Sequence, residues 1–131
     1  MAKTEIRTDD APSPVAAFSQ GVRKGNVVQV AGQVGIDPAT GQVAGKSVGE
    51  QARTTLANVA AVLAAGGATF DDVVMMRVFL TDTAHFAELN DVYGEFMREH
   101  VTEPYPARTT VYVGLPQGLL VEIDALAVLD Q

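Results

Sequence analysis

The sequence predicts an α+β protein in which two helices pack on one face of a mixed sheet. Two stretches carry apolar residues at helical period, and they alternate with runs of strand chemistry. At 131 residues the chain is too short for a doubly wound parallel sheet, so one layer of helices on one layer of strands is the expected solution. A hydrophobic content of 47% can fill one core, and residues 1–131 read as a single domain.

Residues 1–14 are polar, contain Pro12 and Pro14, and read as an extended N-terminal arm. Ala17 to Val22 and Asn26 to Gly32 read as a first hairpin, turning over Arg23-Lys24-Gly25-Asn26. Ile36 to Val43 is a turn around Pro38 and Gly41 with a short strand on each side. Ser47, with Glu50 three residues on, is a capping box. Behind it Ala52, Leu56, Val59, Ala60 and Leu63 recur at helical spacing until Gly66-Gly67 stops the run. Val73 to Leu80 is an apolar strand. Asp82 or Thr83 then caps a second helix with an inward stripe of Phe86, Asn90, Tyr93 and Met97, in which Asn90 is the one amide. The last two strands, Pro106 to Val113 and Leu120 to Val128, read as a pair joined by the turn residues Leu115-Pro116-Gln117-Gly118. The expected order is β-β-β-α-β-α-β-β.

Composition narrows the function. The net charge is −7, spread along the chain without a basic stripe, which argues against a general nucleic-acid binder. Without cysteine there is no disulfide framework, cysteine-held zinc or thiol nucleophile. Gly41-Gln42-Val43-Ala44-Gly45-Lys46-Ser47 imitates a phosphate-binding loop but has one residue too few between its glycines. His85 and His100 are far apart in sequence, so no metal site is expected and no serine has an evident base partner. The first residues lack the apolar core of a signal peptide, and no apolar run approaches the ~18 residues of a membrane span. A cytoplasmic location is expected.

The closing strands hold charges where apolar residues dominate. Alternation puts Arg108, Thr110 and Tyr112 on one face of the first, and Glu122, Asp124 and Leu126 on one face of the second. Charges in half-buried strands are costly unless paired or used. One use is Arg108 as a planar fork for a ligand carboxylate, with Glu122 holding or deprotonating a water. The other is a structural ion pair of Arg108 with Glu122 or Asp124. The strands alone leave both open.

A wider set of motifs resembles one family. Tyr105-Pro106-Ala107-Arg108-Thr109-Thr110, Val121-Glu122-Ile123-Asp124-Ala125-Leu126-Ala127, Ala31-Gly32-Gln33, Pro38-Ala39-Thr40-Gly41 and Phe86-Ala87-Glu88-Leu89-Asn90-Asp91-Val92-Tyr93 fall in the order and spacing of the RidA/YjgF imine deaminases. The resemblance runs from about Ala11 to Leu129. It implies a chorismate-mutase-like, six-stranded mixed sheet with two helices on one face, forming a homotrimer with clefts between subunits. It implies that Arg108 grips the substrate carboxylate and Glu122 positions the attacking water, with Phe18, Ala31, Gly32, Asn90 and Thr110 lining the cleft. The implied reaction is hydrolysis of a 2-imino acid, or its enamine tautomer, to a 2-oxo acid and ammonia. It needs no metal or cofactor, because the C=N carbon is already electrophilic. The implied partner is a small carboxylate-bearing imine or 2-oxo acid, with no membrane and no nucleic acid.

The chain departs from the family pattern at three of these positions. Phe18 stands where a Tyr is common, Ala31 where a Ser is common, and Thr110 where a Cys is frequent. Each lost hydroxyl removes a hydrogen bond worth ~1 kcal/mol, and the greasier cleft suits a larger or more apolar substrate. The alternatives are a non-catalytic trimeric module that binds 2-oxo acids, a deaminase of an unsaturated amino dicarboxylate such as aminomuconate, and a ribonuclease. The acidic balance argues against the last.

Overall fold

Helix α1 (Val48–Ala65) starts where the sequence caps it. Ser47 Oγ accepts from the Glu50 amide at 3.1 Å, and Glu50 Oε1 accepts from the Ser47 amide at 3.2 Å. Leu56, Val59, Val62 and Leu63 are fully buried, as their helical spacing requires. This computed structural model describes residues 2–130. Its strands are β1 (Thr4–Ile6), β2 (Gly21–Lys24), β3 (Val27–Val34), β4 (Val73–Leu80), β5 (Ala107–Tyr112) and β6 (Val121–Val128), with helix α2 at Phe86–His100. They form one mixed sheet in the order β1-β2-β3-β6-β4-β5. Both helices lie on one face, against the buried Val28, Val30, Met76, Val78, Leu80, Val121, Ile123 and Ala125. Among the described residues no helix is long and apolar enough to cross a membrane.

Four local expectations change. The arm is not merely extended: Thr4–Ile6 pairs antiparallel with β2 as an edge strand. β2 begins at Gly21, because residues 15–17 bend and the buried Gln20 amide takes up the backbone of Thr8, Ala11 and Pro12. Ile36 and Val43 make one isolated bridge in place of two short strands. The buried stripe of α2 is Leu89, Val92, Tyr93 and Met97, whereas Phe86 is 40% exposed and Asn90 half-buried. A 3₁₀ turn over Thr83–His85, capped by Asp82, precedes α2.

The largest correction concerns the closing strands. β5 and β6 are not a hairpin; β4 lies between them, parallel to β5 and antiparallel to β6. The turn at Pro116 does form, its carbonyl accepting from Leu119 N at 3.1 Å. Turn residues mark where a chain reverses, not whether another strand occupies the gap. β4, α2 and β5 make a βαβ crossover, which places β5 beside β4 at the sheet edge.

The connection from β5 to β6 is pinned by the fully buried Gln51 of α1. Its side chain donates to the carbonyls of Gly45 (3.1 Å) and Gly118 (2.8 Å) and accepts from Leu120 N (2.8 Å). A Gln51→Leu substitution leaves those groups unpartnered. It is expected to cost ~3 kcal/mol or more in denaturant unfolding, and Gln51→Glu is expected to be no milder, because it sets a buried carboxylate oxygen against the carbonyls of Gly45 and Gly118.

Candidate functional site

Arg108 owes its place to β5. In the parallel register Met76 faces Arg108, Val78 faces Thr110 and Leu80 faces Tyr112. Register partners share a face, and Met76, Val78 and Leu80 point toward the helices, so Arg108 and Thr110 do too. There α2 presents Phe86, Asn90 and Tyr93, spaced so that they share one side of the helix. Arg108 Nη2 donates to Asn90 Oδ1 at 2.7 Å. The guanidinium carbon lies 4.6 Å from the Tyr93 ring centroid and 5.8 Å from that of Phe86. The phenol of Tyr93 is pushed up to about 12 by burial, with the Arg108 charge opposing. Tyr93 is therefore neutral at working pH and contributes its ring face. An amide and two aromatic rings hold the cation without neutralising it.

The ion-pair alternative goes elsewhere. Asp124 pairs with Arg77 on β4, through Nε at 2.9 Å and Nη2 at 2.8 Å. Among the described residues Arg108 has no carboxylate within salt-bridge distance, and its one hydrogen bond is to Asn90. Of the five guanidinium N–H donors, those not spent on Asn90 are available to a ligand.

Glu122 sits on the other face of the sheet. Its register partners are Val34 on β3 and Phe79 on β4, and it shares its face with Asp124. The carboxyl is half-buried, and its pKa is raised first by desolvation and then by the charge of Asp124. A β-carbon at Gly32 would collide with the Glu122 carboxylate as it is placed. The contact is with the far end of a flexible side chain, so Gly32→Ala is expected to fold and to displace Glu122. Its melting temperature should move by only a few degrees, as thermal unfolding would show.

Next to Gly32 a pocket of about 140 Å³ opens, with an apolar lining that includes Phe18. Ala31 adjoins it and donates its amide to the Gln20 carbonyl at 2.9 Å.

The residues expected at one site thus form two groups. Phe18, Ala31, Gly32 and Glu122 gather at the β3–β6 side, on the open face. Arg108, Asn90 and Thr110 gather at the β5 edge, on the helix face. Within one chain Arg108 and Glu122 do not converge. Sequence reasoning missed Gln20, which ties down the segment carrying Phe18, and Arg77, which removes Asp124 as a rival for Arg108. It also read Phe86 and Tyr93 as core stripe only, although their spacing with Asn90 was the available signal for a cradle.

The structure is thus a small α+β fold of one mixed sheet with both helices on one face, carrying an arginine without an acid partner among the described residues at one edge and a half-buried glutamate on the open face. The family described as Endoribonuclease L-PSP matches residues 8–129. The chain is 42% identical to the 2-iminobutanoate/2-iminopropanoate deaminase of Salmonella typhimurium, over 98% of each chain. It is 41% identical to a RutC family protein of Pyrococcus abyssi, over 97% of this chain and 98% of that one. The crystal structure of E. coli TdcF with bound serine superposes with a TM-score of 0.91 at 40% identity, covering 97% of this chain and 99% of that one. The chain belongs to this family, the RidA/YjgF family that its motifs resemble.

Proposed function

We propose that the protein hydrolyses reactive 2-imino acids, or their enamine tautomers, to 2-oxo acids and ammonia. The observation that carries this reading is Arg108, oriented by Asn90 and the Tyr93 ring and left without an acid partner among the described residues. A planar fork in that state fits a substrate carboxylate. The Salmonella relative's name specifies 2-imino acids, and the TdcF structure holds serine, which is itself a small carboxylate.

In the proposed reaction Arg108 holds the carboxylate and Glu122 takes a proton from water as the oxygen bonds to the imine carbon. Glu122 hands that proton to the nitrogen, giving a carbinolamine; the hydroxyl proton then moves to the amino group, again by way of Glu122, so that the C–N bond breaks and ammonia leaves as the carbonyl forms. A carboxylate with a raised pKa is a better base for this step than an exposed one.

Because Arg108 and Glu122 lie on opposite faces of one sheet, the reading requires a neighbouring copy. We propose a homotrimer in which Arg108, Asn90 and Thr110 of one subunit face Phe18, Ala31, Gly32 and Glu122 of the next. The open sheet face supports this, since it carries half-buried Met75, Phe79 and Leu126 and the exposed Val111. Surfaces of that kind mark protein contacts.

The test is to generate 2-iminopropanoate or 2-iminobutanoate with an amino-acid oxidase, trap it as the semicarbazone, and follow its loss with and without protein. Faster loss by a species that sediments as a trimer supports the reading. A second reading is favoured by Phe18 and Ala31, which lack the hydroxyls common at those positions: a trimeric module that binds 2-oxo acids without turnover. Unchanged imine lifetimes alongside calorimetric binding of 2-oxobutanoate would decide for it.

A further inference from the structure

We infer that the pocket beside Glu122 takes the side chain of a branched or aromatic 2-imino acid, so that substrates bulkier than 2-iminopropanoate and 2-iminobutanoate are preferred. The inference rests on the deaminase reading and specifies its substrate.

The lining is apolar: Pro12, Pro14, Val15, Phe18, Val34 and Ile36 surround about 140 Å³. An apolar cavity of about 150 Å³ holds a benzene ring. An isobutyl or benzyl group fills such a space, whereas a methyl group leaves most of it to water.

The two amides at the pocket are already committed. Gln20 donates to the carbonyls of Thr8, Ala11 and Pro12, and Gln33 donates to that of Ala31. Ser13 adds one hydroxyl to the lining and no charged side chain is there, so a carboxylate on the substrate side chain would give up its water for a single neutral donor at best.

The pocket is also preformed. Gln20 ties down the 8–12 segment, and Asn58 of α1 donates to the carbonyls of both Val34 (3.0 Å) and Ile36 (2.9 Å). These two walls are held before a ligand arrives, which favours affinity. Phe18 at 53% and Val15 at 95% exposure leave apolar surface for a ligand to cover.

Finally, the pocket and the carboxylate meet at Gly32, which lines the former and lies against the latter. A substrate whose imine carbon sits at Glu122 can therefore extend its side chain across bare backbone into the pocket.

The experiment compares the imines that an amino-acid oxidase makes from alanine, leucine, phenylalanine and glutamate. Each of the three additional buried carbons is worth about fourfold, so the leucine-derived imine should exceed the alanine-derived one by roughly sixtyfold in kcat/KM. The glutamate-derived imine should be the poorest. Val34→Phe, which fills the pocket, should bring the leucine-to-alanine ratio down toward one. Should that variant fail to fold, calorimetry of the unaltered protein with 4-methyl-2-oxopentanoate and with pyruvate replaces it, the first binding more tightly. Equal or faster turnover of the alanine-derived imine overturns the inference and leaves the deaminase reading standing. No acceleration of any imine sinks the deaminase reading, and the two 2-oxo acids then decide the pocket alone, with equal binding overturning it.

Discussion

Arg108→Ala is expected to lower kcat/KM for a 2-imino acid by roughly a hundredfold or more. A fork-to-carboxylate contact supplies two hydrogen bonds to a charged group, each worth about 1.5 kcal/mol or more, and a tenfold rate change takes about 1.4 kcal/mol. The fold should tolerate the change. Arg108 is half-buried at an edge strand, and its removal forfeits one hydrogen bond to Asn90 and stacking on Tyr93, together about 1–2 kcal/mol. Arg108→Lys separates charge from geometry, because it keeps the cation and loses the planar pair of donors. If lysine restored full activity, the fork would not be what matters. Semicarbazone trapping gives the rates, and thermal unfolding gives the stability control.

Glu122→Gln is expected to cost about a hundredfold in turnover, the lower range for removing a general base, with substrate binding largely retained. The same substitution should stabilise the folded chain. Burial and Asp124 raise the Glu122 carboxyl above its ordinary value, so the folded state binds that proton more tightly than the unfolded state does. Its contribution to stability is fully present below the unfolded pKa and is lost as pH rises through the folded one. Glutamine never carries the charge. The melting-temperature gap in favour of Glu122→Gln should therefore open with rising pH and close in acid. Activity runs in the opposite direction: it needs the carboxylate, so kcat/KM of the unaltered protein should grow as pH rises through that raised pKa. An acid limb lying where an exposed glutamate titrates would remove Glu122 from the role of base.

Much of the architecture was legible because it depends on local rules. The Ser47–Glu50 box, the Leu56-Val59-Leu63 stripe, the Val73–Leu80 strand and the face alternation of Glu122 and Asp124 all follow from spacing along one element. The pairing of β5 with β4 was not legible, since inserting β4 between β5 and β6 leaves the turn chemistry at Pro116 unchanged. The fate of Asp124 was hidden for the same reason. Only the register that brings Arg77 opposite it shows that its charge is already satisfied.

The order of residues by itself determined both helices, the strands of the sheet centre, the family and the choice of Arg108 and Glu122 as candidates, because each is written in period or motif. Tertiary structure alone decided that Arg108 and Glu122 stand on opposite faces of the sheet, with β4 between their strands. Side-chain direction is set within a strand, whereas proximity is set by which strands become neighbours. That choice depends on burying the helix face as a whole, and no short stretch of sequence encodes it.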